Sequence, residues 1–287
     1  MPLDIEKQDT VSQQVRDWIQ TTQGWFSYAE LDREIKIESR DAKALRRVIL
    51  HNLVKAGKLE RDPQKNGRFR LVVDEAPEMD WREADTSCVL NLQWPFGLEK
   101  LVSIYPKNII IIAGSPNAGK TAFCLDFIAR NMHRIELNGL LPIEYFSSEM
   151  GAEEMKIRLS KFETSDWAFV ARERSENFGD VVKPDRINII DFLEISDNFF
   201  LIAQEIKKIH NKLNKGIALV AIQKNPGAEA GRGGTFSEEK ARLVLLMDSG
   251  IMKIKKAKNW AGGTNPNGLK WNFNLVQGAK FVNIREV

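Results

Sequence analysis

Ile109-Ile110-Ile111-Ile112-Ala113-Gly114-Ser115-Pro116-Asn117-Ala118-Gly119-Lys120-Thr121 decides the fold of this chain. The apolar run Ile109–Ala113 reads as a strand buried on both faces, which is the signature of a parallel sheet. Gly114 to Thr121 spells G-x-x-x-x-G-K-T, a phosphate-binding loop. An amphipathic run follows, with Leu125, Ile128 and Met132 on one helical face. Strand, glycine loop and helix form the arrangement a triphosphate needs. Backbone N–H groups of Gly114, Ser115, Pro116 to Gly119 and the first turn through Ala122, together with the positive end of the helix, wrap the phosphates; Pro116 itself has no N–H. Lys120 is expected to reach the β- and γ-phosphates, and the Thr121 hydroxyl to ligate Mg²⁺.

The bulk properties allow such an enzyme and exclude other classes. A chain of 287 residues, 43% hydrophobic and 28% charged, suits one large or two ordinary soluble domains. The net charge of +3 says little by itself. No apolar stretch approaches a membrane span, and the polar, acidic start Met1–Thr10 does not read as a secretory signal, so a cytoplasmic chain without membrane contact is expected. Cys88 and Cys124 form no metal pattern and read as free thiols. His51, His133 and His210 are scattered and suggest no metal site.

Upstream of residue 74 the chain has a different character. Residues 11–20 read as a helix with Val11, Val15, Trp18 and Ile19 apolar. Ser27 with Glu30 three residues later reads as a capping box opening a second helix. Arg40–Ala56 reads as a third, stopped by Gly57. Lys58–Arg61 and Arg68–Val73 flank a turn containing Asn66-Gly67, which predicts a β-hairpin. Three helices and a hairpin resemble a winged helix-turn-helix domain, expected over 1–74. From Arg40 to Arg70 ten basic residues face three acidic ones. In such a domain these elements meet duplex DNA, with Arg46, Arg47 and Lys65 as candidate contacts. A protein-docking module with a solvated basic face fits the same pattern. Residues 75–100 read as a linker, acidic and proline-broken at first, and the second domain is expected over 101–287.

Downstream, Pro142–Phe146 reads as a second strand ending in Ser147-Ser148-Glu149-Met150. A carboxylate at a strand's C-terminal end beside a phosphate loop is well placed to activate water. Phosphate loop and Ser-Glu-Met together resemble the RecA-type ATPase core of DnaB-type replicative helicases and RecA recombinases. The resemblance implies an α/β fold, a mainly parallel sheet flanked by helices, with a C-terminal β-hairpin. It also implies Glu149 as catalytic base. Ile187–Phe192 is a third strand, whose Asp191 matches the second Mg²⁺-site motif and would hold the metal through a water. A helix over 198–213 precedes Ile217–Gln223, whose Gln223 matches the residue that senses the γ-phosphate. The loop Pro226–Ser237 would contact single-stranded DNA, with Lys224 and Arg232 as candidate phosphate contacts. Lys253–Trp260 reads as a basic strand and Leu269–Leu275 as its return; Lys256 and Lys258 resemble the paired lysines that reach a neighbouring subunit's nucleotide in RecA filaments.

Three departures qualify the resemblance. An arginine finger expected near Trp260 is missing. Phe162–Asp191 is short and reads as lacking a strand and an arginine segment. A winged helix stands where those helicases carry a helical domain. The expectation is therefore a Mg²⁺-dependent ATPase acting on single-stranded or duplex DNA in replication or recombination, as a homo-oligomer or filament. Helicase action is left open. Two rivals stay open with it: a winged-helix DNA-binding regulator switched by ATP, and an assembly ATPase that does not touch DNA.

Overall fold

The structure is a computed structural model that describes residues 5–22, 24–73, 80–134, 143–193, 199–231 and 234–287. The chain divides into two compact units, residues 1–84 and 85–287.

In the first unit, α1 (Ile5–Thr21), β1 (Trp25–Ser27), α2 (Tyr28–Glu34), α3 (Arg40–Lys55), β2 (Leu59–Arg61) and β3 (Arg68–Leu71) follow in order. The strands form an antiparallel sheet in the order β1-β3-β2. The capping box forms as the sequence predicts. The Glu30 amide donates to the Ser27 hydroxyl at 3.3 Å, and the Ser27 amide donates to the Glu30 carboxylate at 2.6 Å. The hairpin turn is closed by Asp62, whose carboxylate accepts the Gln64 and Lys65 amides. Gly67 has φ +76°, and a Cβ there would lie 2.9 Å from the Tyr28 ring, so only glycine fits. The core is built from Val15, Ile19, Phe26, Leu31, Ile49, Leu50, Leu59 and Phe69.

The larger unit is an α/β fold on a nine-stranded sheet. Its strands are β4 (Ile109–Gly114), β5 (Ile143–Ser147), β6 (Phe169–Glu173), β7 (Ile187–Leu193), β8 (Ile217–Gln223), β9 (Ala241–Asp248), β10 (Ile251–Ala257), β11 (Lys270–Val276) and β12 (Lys280–Glu286). The sheet order is β12-β11-β10-β9-β4-β8-β7-β5-β6. The pairings from β9 through β4, β8, β7 and β5 to β6 are parallel; those among β9, β10, β11 and β12 are antiparallel. The helices are α4 (Lys120–Asn131), α5 (Ala152–Leu159), α6 (Phe178–Val181) and α7 (Phe199–Lys212).

β4 explains the two-layered core. Its side chains alternate, so Ile110 and Ile112 join the cluster that includes Phe123, Leu125 and Phe127 of α4. Ile109, Ile111 and Ala113 join the other cluster, with Ile202, Ile206 and Ile209 of α7. All four isoleucines are fully buried, each contributing about 1.5–3 kcal/mol of transfer free energy. The mainly parallel RecA-like sheet expected from the sequence is thus present.

Two segments differ from their reading. Of the connector expected over 75–100, residues 75–79 lie outside the described residues, and the part from 85 belongs to the larger unit. Leu90, Leu92, Trp94 and Leu98 are buried in its main core. There the Asn131 side chain brackets the Gln93 backbone, accepting its N–H at 2.9 Å and donating to its carbonyl at 2.7 Å. Phe162–Asp191 does hold a strand, β6, which carries Arg172, with Arg174 just past its end. Those residues were hard to read because β6 is only half apolar and closes the sheet's edge.

Candidate nucleotide site

The phosphate loop turns from β4 into α4 under strict steric limits. A Cβ on Gly114 would come within 2.7 Å of Lys120 Cγ and 2.9 Å of its Cδ, so the lysine stem lies directly over this glycine. Gly119 caps α4 with φ +97°, a conformation costly for any L side chain. A Cβ there would meet Leu275 Cδ2 at 3.2 Å and Phe281 Cε1 at 3.3 Å, so the β11–β12 hairpin packs on the loop's second glycine. Asn117 also has positive φ, +60°, and is exposed together with Pro116. Ala118 and Ala122 are buried and Thr121 half-buried.

The Lys120 ammonium donates to the Gly114 carbonyl at 3.1 Å and the Ser115 carbonyl at 3.0 Å. Burial lowers its pKa from the ordinary lysine value, while the negative charges of Asp191 and Glu149 pull it back up. A cation held by neutral dipoles in a partly desolvated place gains from an incoming polyanion.

Asp191 sits near the end of β7, buried, and accepts a 2.6 Å hydrogen bond from the Tyr145 hydroxyl on β5. Burial, and then the Asp191 charge, push the Tyr145 phenol well above its usual range, so it keeps the proton it donates. The peptide between Asp191 and Phe192 is cis. The turn bearing Glu149 is pinned by two serines: the Met150 amide donates to Ser147 Oγ at 2.8 Å, and the Phe192 amide to Ser148 Oγ at 3.0 Å. Glu149 itself is exposed. Gln223, the last residue of β8, is half-buried and stands opposite Gly114 in the register. Lys120, Asp191 and Glu149 thus share one electrostatic neighbourhood, with Gln223 at its edge. A hydroxyl and a carboxylate, Thr121 and Asp191, are the hard oxygen donors that Mg²⁺ takes alongside phosphate and water. Among the described residues no group of three or more His, Cys, Asp or Glu side chains could hold a metal unaided. Burial raises the Cys124 thiol well above its normal value, leaving it inert.

Three of the remaining candidates need correction or lie elsewhere. Arg46 is not available to DNA: it is 2% exposed, bonded to Asp32 Oδ1 at 2.7 Å and to the Tyr28 carbonyl at 3.2 Å, with its guanidinium 4.2 Å from the Tyr28 ring centre. Lys224 is also withdrawn, its side chain fully buried and its ammonium held by both Asp248 oxygens at 2.8 and 2.7 Å. Arg232 lies outside the described residues. Arg47 and Lys65 are exposed. Lys256 donates to the Glu238 carbonyl at 2.5 Å, next to a register shift in β10. Burial first, then the nearby Lys258 charge, lower its pKa. Lys258 is exposed just past the strand.

Sequence reasoning missed β9 and its terminal Asp248. The apolar run Leu243-Val244-Leu245-Leu246-Met247 was the available signal. It also missed Glu144, fully buried on β5 and neutralised by Arg172 at 2.9 Å and Arg186 at 2.5 Å.

Fold and loop together define a RecA-like P-loop core. Residues 97–222 match the family model described as the DnaB-like helicase C terminal domain. That stretch holds the loop, Glu149 and Asp191, and stops one residue before Gln223. A probable replicative DNA helicase of Trieres chinensis is 40% identical over 65 residues, a match that spans 22% of this chain and 13% of that protein. A KaiC-like protein of Pyrococcus horikoshii OT3 superposes with a TM-score of 0.48 at 16% identity, covering 69% of this chain and 98% of that one. Among the described residues no helix is long and apolar enough to cross a membrane.

Proposed function

We propose that this chain is a Mg²⁺-dependent ATPase of the RecA/DnaB-like class that acts on DNA in replication or recombination. The observation that carries the reading is the Lys120 ammonium, whose hydrogen bonds among the described residues go to the loop carbonyls of Gly114 and Ser115, in the field of Asp191 and Glu149. In this reading the phosphate loop and Lys120 bind the phosphates. Thr121 would ligate Mg²⁺ and Asp191 would hold it through a water, and the ion would polarise the γ-phosphate. Glu149 orients and deprotonates the attacking water, and Gln223 senses the γ-phosphate. Lys256 and Lys258 serve a neighbouring copy's nucleotide in a homo-oligomer or filament; Lys256 must first exchange its Glu238 carbonyl partner.

The reading of DNA contact is supported by the first unit's order of helices and hairpin, which we read as a winged helix, with Arg47 and Lys65 exposed on the third helix and the hairpin turn. ATP turnover measured without DNA, with single-stranded DNA and with duplex DNA, at two salt concentrations, tests the reading. Stimulation by single-stranded DNA that fades with salt is expected. Duplex binding with negligible turnover would favour the regulator instead. Turnover indifferent to both DNA and salt would overturn the DNA role and leave an assembly ATPase.

A further inference from the structure

Hydrogen bonds from β5 and the turn after it fix Asp191 at both its backbone and its side chain. β5 and β7 run parallel, with Tyr145 level with Ile189 and Ser147 level with Asp191. Just beyond, the Ser148 amide donates to the Asp191 carbonyl at 3.1 Å, and the Phe192 amide donates to Ser148 Oγ at 3.0 Å. The side chain is caught separately, by the Tyr145 hydroxyl, which donates to Asp191 Oδ2 at 2.6 Å. Tyr145 and Asp191 lie two register positions apart on neighbouring strands, on one face of the sheet, so the phenol reaches forward to the carboxylate.

Tyr145 is a rigid donor. Its side chain is fully buried in the main core, and its ring packs edge-on to Phe169 with 6.1 Å between centroids. A buried phenol needs an acceptor, and a neutral carbonyl would serve. Here the acceptor is the carboxylate assigned to the metal, itself buried. An ionised carboxylate can grip a cation with both oxygens. With Oδ2 committed to a short, charge-assisted bond, a two-oxygen grip would cost that bond. Mg²⁺ demands near-octahedral geometry and keeps several of its waters, whereas Ca²⁺ takes more oxygens and accepts bidentate carboxylates. A carboxylate with one oxygen already taken suits the first ion better than the second.

We infer that Tyr145 is a positioning residue that fixes Asp191 in one orientation and makes the site select Mg²⁺ over Ca²⁺. This inference rests on the nucleotide-site reading, in which Asp191 meets the ion through a water. A rigid partner behind a metal-binding side chain holds its orientation, and losing that partner costs metal affinity about 10–100-fold. A phenol whose only duty was to satisfy its own burial would influence folding stability and leave cation binding alone.

The test is binding of a fluorescent, non-hydrolysable ATP analogue to the full chain, titrated with Mg²⁺, with Ca²⁺ and without divalent cation. Tyr145→Phe deletes one oxygen and keeps the ring in its packing. It should need about 10–100-fold more Mg²⁺ for half-maximal binding of the analogue. Its Ca²⁺ requirement should change less, so that the preference for Mg²⁺ narrows. Binding without divalent cation, which reads the phosphate loop and Lys120, should match the wild-type chain. An unchanged Mg²⁺ requirement in Tyr145→Phe overturns the inference. So does an equal weakening with Mg²⁺, with Ca²⁺ and without either, which would mark a bond that serves the fold alone. Should the variant fail to fold, a wild-type chain that binds the analogue equally well with Ca²⁺ and Mg²⁺ overturns it equally. A wild-type chain that binds the analogue without regard to divalent cations would overturn the Mg²⁺ reading of the site, and one that does not bind it at all the nucleotide reading; either takes the role of Tyr145 with it.

Discussion

Two lysines beside Gly114, one half-buried and one fully buried, are held in opposite ways. Lys120 opens α4 and has carbonyl dipoles of Gly114 and Ser115 as partners, with burial depressing its pKa. Lys224 ends the neighbouring β8 side of the sheet and is closed by a carboxylate, bonded twice. A lysine with only neutral partners is poised for an anion. One already paired with a carboxylate has nothing to give a ligand and everything to lose if the pair is broken. Burial alone therefore does not mark a functional cation; the charge of its partner does.

The largest expected effect sharpens this contrast. Lys120→Ala should weaken ATP binding by about 2–5 kcal/mol, read by titration calorimetry, because a charged contact to phosphate is lost. It should barely lower the melting temperature, since dipoles alone hold the side chain. Asp248→Leu should do the reverse, destabilising the fold by about 3–5 kcal/mol in urea titration through an unpaired buried ammonium. Lys224→Met/Asp248→Leu should recover most of that loss. If Asp248→Leu were neutral, Lys224 would not be the closed site described here.

Much of this was legible beforehand. The loop, the helix after it and strands β4, β5, β7 and β8 declared themselves through apolar runs ending in polar residues, because a parallel sheet buries both faces and places its chemistry at the strand ends. Pairings distant in sequence were not legible. Lys224 and Asp248 are 24 positions apart and meet only because β8 and β9 flank β4. Arg46 was misread because the charge of its helix looked uniform. Its helical phase was informative, since Ala42, Arg46, Ile49 and Leu50 share the buried face of α3.

The hairpin on the loop offers a smaller test. Gly119→Ala should cost about 1–2 kcal/mol at its positive φ, with further crowding against Leu275 and Phe281, and should raise the KM for ATP more than it lowers kcat. The Asp248 pair predicts a pH dependence. Its folded-state pKa is lowered, so its stabilisation is complete above the ordinary carboxyl value of 3.8 and fades as pH falls below it. Acid unfolding of Lys224→Met/Asp248→Leu should therefore be shallower there than that of the wild-type chain. The smallest effect concerns the first unit. Arg47→Ala should leave its melting temperature within about 2 °C, yet reduce the salt dependence of DNA binding by about one counterion, whereas Arg46→Ala should destabilise that unit.

The most direct measurement is steady-state ATP hydrolysis with Mg²⁺ by the wild-type chain and by Glu149→Gln, with nucleotide retention measured in parallel. The account predicts that the variant keeps its nucleotide while turnover drops by about 10²–10⁴-fold. An unaltered rate in Glu149→Gln, or a wild-type chain that retains no nucleotide, would contradict it.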